Sequence, residues 1–222
     1  MKNKLFKYAA INEMHHVLDK NPQYKNAWQT NFFKNNNPIV VELACGKGDY
    51  ALAMAQLFPN KNFIGVDIKG NRIYTAARKA EDEKIQNVAF IRDQIDLLTN
   101  YFEKDEIDEI WITFADPFPK KSKHKKRLTS KKFLKVYQQF LKKDGIIHLK
   151  TDSDILYEYT KEVLQTVPSK ILKDYPDVYA MNKNEELYNI QTHYEKMHLK
   201  DGRTIKYIAF QIQTSNNSMT ID

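Results

Sequence analysis

The sequence predicts an α/β fold, a doubly wound and mostly parallel sheet with an antiparallel hairpin at its C-terminal end. Three observations carry that expectation. Short β-branched runs such as Ile39-Val40-Val41 recur along the chain. Helix-patterned stretches, some alanine-rich and some charged, separate them. Near the end, Lys200-Asp201-Gly202-Arg203 lies between Tyr194–Leu199 and Thr204–Gln211, with Asp-Gly at the turn.

In chain order, residues 1–37 form an N-terminal helical extension of one or two short helices, with Tyr8, Trp28, Phe32 and Phe33 set among lysines and asparagines. The main domain spans 38–214. Its first strand is Ile39–Leu43, followed by a helix over Asp49–Phe58 that Pro59-Asn60 stops. Phe63–Val66 is the second strand and ends at Asp67; a helix follows from about Asn71 to Lys84. Val88–Arg92 and Ile107–Phe114 are the third and fourth strands. A helix over Ser130–Lys142, a fifth strand over Ile146–Leu149 and a helix over Asp152–Val167 precede the hairpin. Asn35–Asn37 and the tail 215–222 read as loose segments.

The 222 residues suit one such domain with extensions, and 42% hydrophobic residues suffice for a core. No apolar run approaches the ~20 residues that span a bilayer, and Met1–Ala10 is not a secretory signal. The single cysteine, Cys45, reads as a small packing residue. It excludes an internal disulfide and points to a reducing cytoplasm. The histidines show no metal-like spacing; the adjacent His15 and His16 read as a helix-surface pair, so no metal site is expected. Six of the seven excess positive charges fall in Lys120–Arg127, leaving the rest of the chain at +1. A basic block so concentrated suits a polyanion such as nucleic acid, although a solvated loop has the same composition.

In a doubly wound sheet, ligands bind beyond the carboxyl ends of the strands. There the first strand delivers Glu42-Leu43-Ala44-Cys45-Gly46-Lys47-Gly48-Asp49. Gly46 and Gly48 allow a tight turn with close backbone approach, and with Ala51 they imitate a dinucleotide fingerprint. A dehydrogenase therefore competes at this point. Against it stands Glu42, a carboxylate better suited to the ammonium and sulfonium of S-adenosylmethionine than to a pyrophosphate. Asp67 is placed to accept from ribose hydroxyls in either class, or to cap a helix. Asp93 or Gln94, after the third strand, is placed to reach an adenine, or to cap a helix.

After the fourth strand comes Asp116-Pro117-Phe118-Pro119-Lys120-Lys121, running into the basic block. With His148-Leu149-Lys150-Thr151-Asp152 and Thr192-His193-Tyr194-Glu195-Lys196, this resembles the tRNA (guanine-N(7)-)-methyltransferase family over about Val40–Phe210. The resemblance implies a Rossmann-like methyltransferase fold and transfer of a methyl group from S-adenosylmethionine to guanine nitrogen 7 in the tRNA variable loop. It implies that Glu42, Asp67 and Gln94 bind the cofactor and that Asp116 lies where cofactor and base meet. It further implies that Lys120, Asp152, Thr192, His193, Tyr194 and Glu195 hold the target nucleotide, and that Ser122, Lys123, His124, Lys125, Lys126 and Arg127 contact RNA. The sequence departs from the family's pattern at Ala44, usually Gly; at Phe118, usually Trp; and at Gln94, usually Asp.

The chemistry agrees with the residues. Guanine nitrogen 7 carries a lone pair and no proton, so its attack on a sulfonium methyl needs no general base. Holding the reactants in attack geometry supplies the catalysis. Asp116 and Asp152 suit the guanine N–H donors and offset charge developing on the ring; an ordinary turn at Asp116-Pro117 is the bland alternative. A methyltransferase of the same fold acting on another RNA, a protein or a small molecule, and a non-catalytic RNA-binding module, remain in competition. The chain is expected to act as a monomer or homodimer.

Overall fold

The computed structural model describes residues 2–181 and 190–213. Its strands are β1 (Val17–Asp19), β2 (Ile39–Leu43), β3 (Asn62–Val66), β4 (Val88–Arg92), β5 (Ile107–Thr113), β6 (Leu141–Thr151), β7 (Ser169–Tyr175) and β8 (Lys206–Ile212). Its helices are α1 (Lys2–Ala10), α2 (Asp49–Leu57), α3 (Gly70–Asp82), α4 (Lys131–Tyr137), α5 (Asp154–Leu164) and α6 (His193–Lys200). The strands form one sheet in the order β1-β4-β3-β2-β5-β6-β8-β7. Every neighbouring pair is parallel except those of β8, which runs antiparallel to β6 and to β7.

Helices cover both faces, as the apolar runs of the central strands require. On one face Phe133, Leu134 and Tyr137 of α4 and Leu156 of α5 pack with Ile110, Ile112 and Leu149. On the other, Tyr50 and Met54 of α2 and Ile73 and Ala77 of α3 pack with Phe63, Phe90 and Trp111. The order reverses about β2, between β3 and β5, so the loops after β2 and β5 flank the switch point, the place where ligands bind in doubly wound sheets. No helix among the described residues is long and apolar enough to cross a membrane.

The doubly wound sheet and its antiparallel C-terminal pair match the expected class, but the pair is formed by β7 and β8 rather than across Asp201-Gly202. Tyr194–Leu199, expected as a strand, lie in helix α6, because Thr192 caps it and its hydroxyl accepts from the Glu195 backbone N–H at 3.1 Å. Strand β7 is missing from the sequence reading. Its lysines, Lys170 and Lys173, obscure the pattern and are the residues that guard an edge strand. The helix expected over 130–142 stops at Tyr137, and β6 starts at Leu141.

The first 37 residues do more than lead into the domain. Strand β1 extends the sheet beside β4. A π-helical turn, Trp28–Phe33, inserts Trp28 into the core, where its indole donates to the Tyr101 carbonyl at 2.9 Å. Asn35–Asn37, expected to be loose, are tied down: the side-chain amides of Asn35 and Asn62 exchange hydrogen bonds of 3.2 and 2.7 Å. His15 and His16 lie on no helix. His15 stacks on Phe32, and buried His16 meets the Val88 carbonyl at 2.8 Å. The tail 215–222 lies outside the described residues.

Candidate active site

The loop after β2 turns through three left-handed residues, Ala44 (φ 56°), Gly46 (φ 60°) and Gly48 (φ 73°). Gly48 is required for packing, since a Cβ there would meet the Ala76 Cβ at 2.8 Å and the Phe90 ring at 2.9 Å. At Gly46 the nearest atom to such a Cβ is Arg72 Nη1 at 4.0 Å, so that flank is open. Asp67, at the end of β3, fixes the turn: Oδ2 accepts from Gly46 N at 3.0 Å and Oδ1 from Lys69 N at 2.8 Å. Arg72 stands 3.7 Å from the same carboxylate. Cys45 is buried and packs against Gly65, as expected of a packing residue.

Glu42 is buried beneath this turn. Its Oε1 accepts from the Thr113 hydroxyl at 2.6 Å and its Oε2 from Ala51 N at 3.0 Å. Both donors are neutral, and no cation pairs with Glu42 among the described residues. Burial pushes its pKa up to about 8 against the pull of these hydrogen bonds, with Asp49 and Asp67 adding repulsion. A cationic ligand group is what such a carboxylate lacks.

After β4, Asp93 is committed to local structure, accepting from Gln94 N at 2.8 Å and from the Tyr101 hydroxyl at 2.9 Å. Gln94 is exposed at the head of a 3-10 helix, Ile95–Asn100. Sequence reasoning missed Ile68, an apolar side chain that is 56% exposed beside Asp67.

Thr113 extends the site across the sheet. It pairs in register with Lys150 of β6. Lys150 is buried, reaches Glu195 Oε1 at 2.8 Å and donates to the Ile190 carbonyl at 3.2 Å. Burial pushes the Lys150 pKa down, opposed by Glu195. Glu195 is 0% exposed; it also accepts from the Tyr179 hydroxyl at 2.7 Å, and its Oε2 is buried without a partner. Glu42, Thr113, Lys150 and Glu195 thus run in a line over the ends of β2, β5 and β6. Thr192 caps α6 beside them. The side chains of His193 and Tyr194 lie outside the described residues. Asp152, just past β6, accepts from Arg203 Nη1 at 2.7 Å.

Past β5, Asp116 is exposed and its Oδ1 accepts from Phe118 N at 2.9 Å, closing a turn with Phe118 left-handed (φ 42°). Lys120 is exposed and leads into a 3-10 helix, Lys121–Lys126, which presents Ser122, Lys123, His124, Lys125 and Lys126 to solvent. Arg127 differs from the rest of the basic block. It is buried, donating to the Pro117 carbonyl at 2.8 Å and to the Phe118 carbonyl at 3.1 Å.

The strand order, parallel but for β8, with a glycine turn at its switch point and a buried acid beneath it, is the class I methyltransferase architecture, and solved structures agree. The 16S rRNA methyltransferase KamB superposes with a TM-score of 0.64 at 13% identity, covering 90% of this chain and 99% of that one. The 30S ribosomal A1408 methyltransferase from an uncultured bacterium gives 0.59 at 17% identity, over 85% and 93% of the two chains. At these identities the likeness is one of fold. Residues 36–208 match the family model described as "Putative methyltransferase". The tRNA (guanine-N(7)-)-methyltransferase of Christiangramia forsetii is 44% identical over 96% of this chain and 99% of its own length. Those of Bacteroides thetaiotaomicron and Bacillus subtilis are 42% and 37% identical, over 95% and 85% of this chain and 86% and 87% of theirs. The chain belongs to the tRNA (guanine-N(7)-)-methyltransferase family.

Proposed function

We propose that this chain transfers a methyl group from S-adenosylmethionine to nitrogen 7 of a guanine in the variable loop of tRNA, in the cytoplasm. The observation that carries this reading is the line Glu42–Thr113–Lys150–Glu195 over three adjacent strand ends, with Asp116 and the lysine-rich helix starting immediately beyond.

The residues around the glycine turn fit the cofactor, because Glu42 is a buried carboxylate with only neutral donors. Glu42 takes the ammonium group, Asp67 the ribose hydroxyls, and Gln94 with Ile68 the adenine. Asp93 holds the Gln94 backbone from behind, and Gly46 and Gly48 shape the turn. When bound, S-adenosylmethionine supplies an electrophilic methyl group on its sulfonium. The chain's part is orientation and exclusion of water. Asp116 accepts guanine N–H donors through the oxygen not used by its turn, and its charge offsets the positive charge developing on the purine. Lys120 and Asp152 secure the nucleotide, with Thr192 and the buried Glu195 supporting that side of the site from within. Ser122, Lys123, His124, Lys125 and Lys126 track the phosphate backbone.

Nucleoside analysis of tRNA incubated with the protein and S-adenosylmethionine tests this directly. The expected product is 7-methylguanosine in the tRNA. Methyl label incorporated into protein, into another RNA only, or at another position overturns the assignment.

A further inference from the structure

We infer that Arg127 is a positioning residue that braces the Asp116 turn from behind, and not a phosphate contact like the lysines before it. The inference rests on the functional reading above for what the turn does, and on geometry for how it is held. Residues 121–126 are exposed, whereas Arg127 is 6% exposed. Its Nε and Nη2 donate to consecutive carbonyls, Pro117 at 2.8 Å and Phe118 at 3.1 Å. The face of its guanidinium lies over the Tyr159 ring of α5, 4.3 Å from the centroid. Among the described residues no carboxylate pairs with it. Its charge is therefore spent on two carbonyl dipoles and one aromatic face.

The turn needs such a brace. Phe114 (φ 49°) and Phe118 (φ 42°), on either side of Asp116, both occupy the left-handed region, which bulky side chains disfavour. The Asp116 carboxylate grips the Phe118 N–H from within the turn, and Arg127 grips the carbonyls on either side of that N–H. A planar fork matches two adjacent acceptors while stacking on a ring. A lysine ammonium does not do both. Arg127 also closes the basic 3-10 helix, its N–H donating to the His124 carbonyl at 3.0 Å. One residue thus joins the surface that meets RNA to the turn that carries Asp116.

The test compares Arg127→Met, Arg127→Lys, Tyr159→Leu and Lys125→Met with the parent chain. Three quantities are read: the methyl-transfer rate at saturating tRNA, the slope of log Kd for tRNA against log salt, and hydrogen exchange over 114–120. Arg127→Met is expected to lower the rate by at least ~10-fold, leave the salt slope unchanged and speed exchange in the turn. Arg127→Lys recovers only part of the rate. Lys125→Met weakens binding and flattens the slope by about 0.7–0.9, the loss of one phosphate contact, with exchange in the turn unchanged. The inference is overturned if Arg127→Met flattens the slope as Lys125→Met does while keeping its rate and exchange. Should Arg127→Met not fold, Tyr159→Leu decides: a lower rate with an unchanged slope supports the brace, and an unchanged rate rejects it. Lack of 7-methylguanosine from the parent chain removes the functional reading alone, since hydrogen exchange still reports on the brace.

Discussion

The two loops that flank the switch point are built in opposite ways. After β2, the chain turns on Ala44, Gly46 and Gly48 over buried carboxylates, and the Gly46 N–H ties the turn to Asp67. After β5, Asp116 and residues 119–126 are exposed, and the buried Arg127 faces inward. Under the proposed function, a small cationic cofactor is read by fixed backbone and a few desolvated acids, where each contact is strong. A large polyanion is met by many screened contacts, each weak and each salt-dependent. Substitutions in the two loops should therefore fail differently.

The sharpest break is at Asp116. Asp116→Ala is expected to lower the methyl-transfer rate by about 10²–10³-fold while tRNA binding stays within about threefold by filter binding; full activity would remove its assigned role. Next comes the basic helix. Replacing Lys123, Lys125 and Lys126 together by Ala should flatten the salt slope of tRNA binding by about 2–3, with cofactor affinity unchanged in calorimetry. A retained slope ends the phosphate-track reading.

At the other loop the readout is pH. Burial raises Glu42 to about 8, so at neutral pH the empty site holds mostly the protonated acid. A bound ammonium favours the carboxylate, so binding releases a proton below that pH. Cofactor affinity should tighten by up to about tenfold per pH unit as pH rises toward 8. It should level off above that, and Glu42→Gln should abolish the dependence. Stability moves the opposite way: with its folded pKa raised, Glu42 makes the empty protein less stable as pH rises from its ordinary carboxylate range to about 8. Smallest is Ala44→Gly. Relief of a left-handed alanine should stabilise the fold by about 1 kcal/mol or less, after the added flexibility of the unfolded chain is subtracted. Thermal unfolding measures it, and a clear loss of stability would contradict the strain.

Much of this was legible in the sequence because strand-end position and residue type coincide there. Glu42, Asp67 and Asp116 each lie at or just past the end of an apolar strand run, and the parallel arrangement follows from alternation. The burial of Arg127 was not legible because composition counts charges without direction, and the one inward cation in a basic block looks like its neighbours. Asp93 and Gln94 are adjacent in sequence yet opposite in exposure, a difference set by the Tyr101 hydroxyl eight residues on. Helix α6 carried a readable signal, Thr192-x-x-Glu195, that the neighbouring Asp-Gly turn outweighed. The line from Thr113 through Lys150 to Glu195 was not legible, since it depends on strand register and on a helix packing back from much later in the chain.

Strand β8 lies between β6 and β7 and is the last strand in the described chain. Both of its neighbours therefore leave the ribosome before the piece that joins them. Until Ile212 has emerged, β6 presents an open hydrogen-bonding edge and β7 has no strand to pair with. The sheet therefore cannot close on that side until the last strand of the described chain has been made.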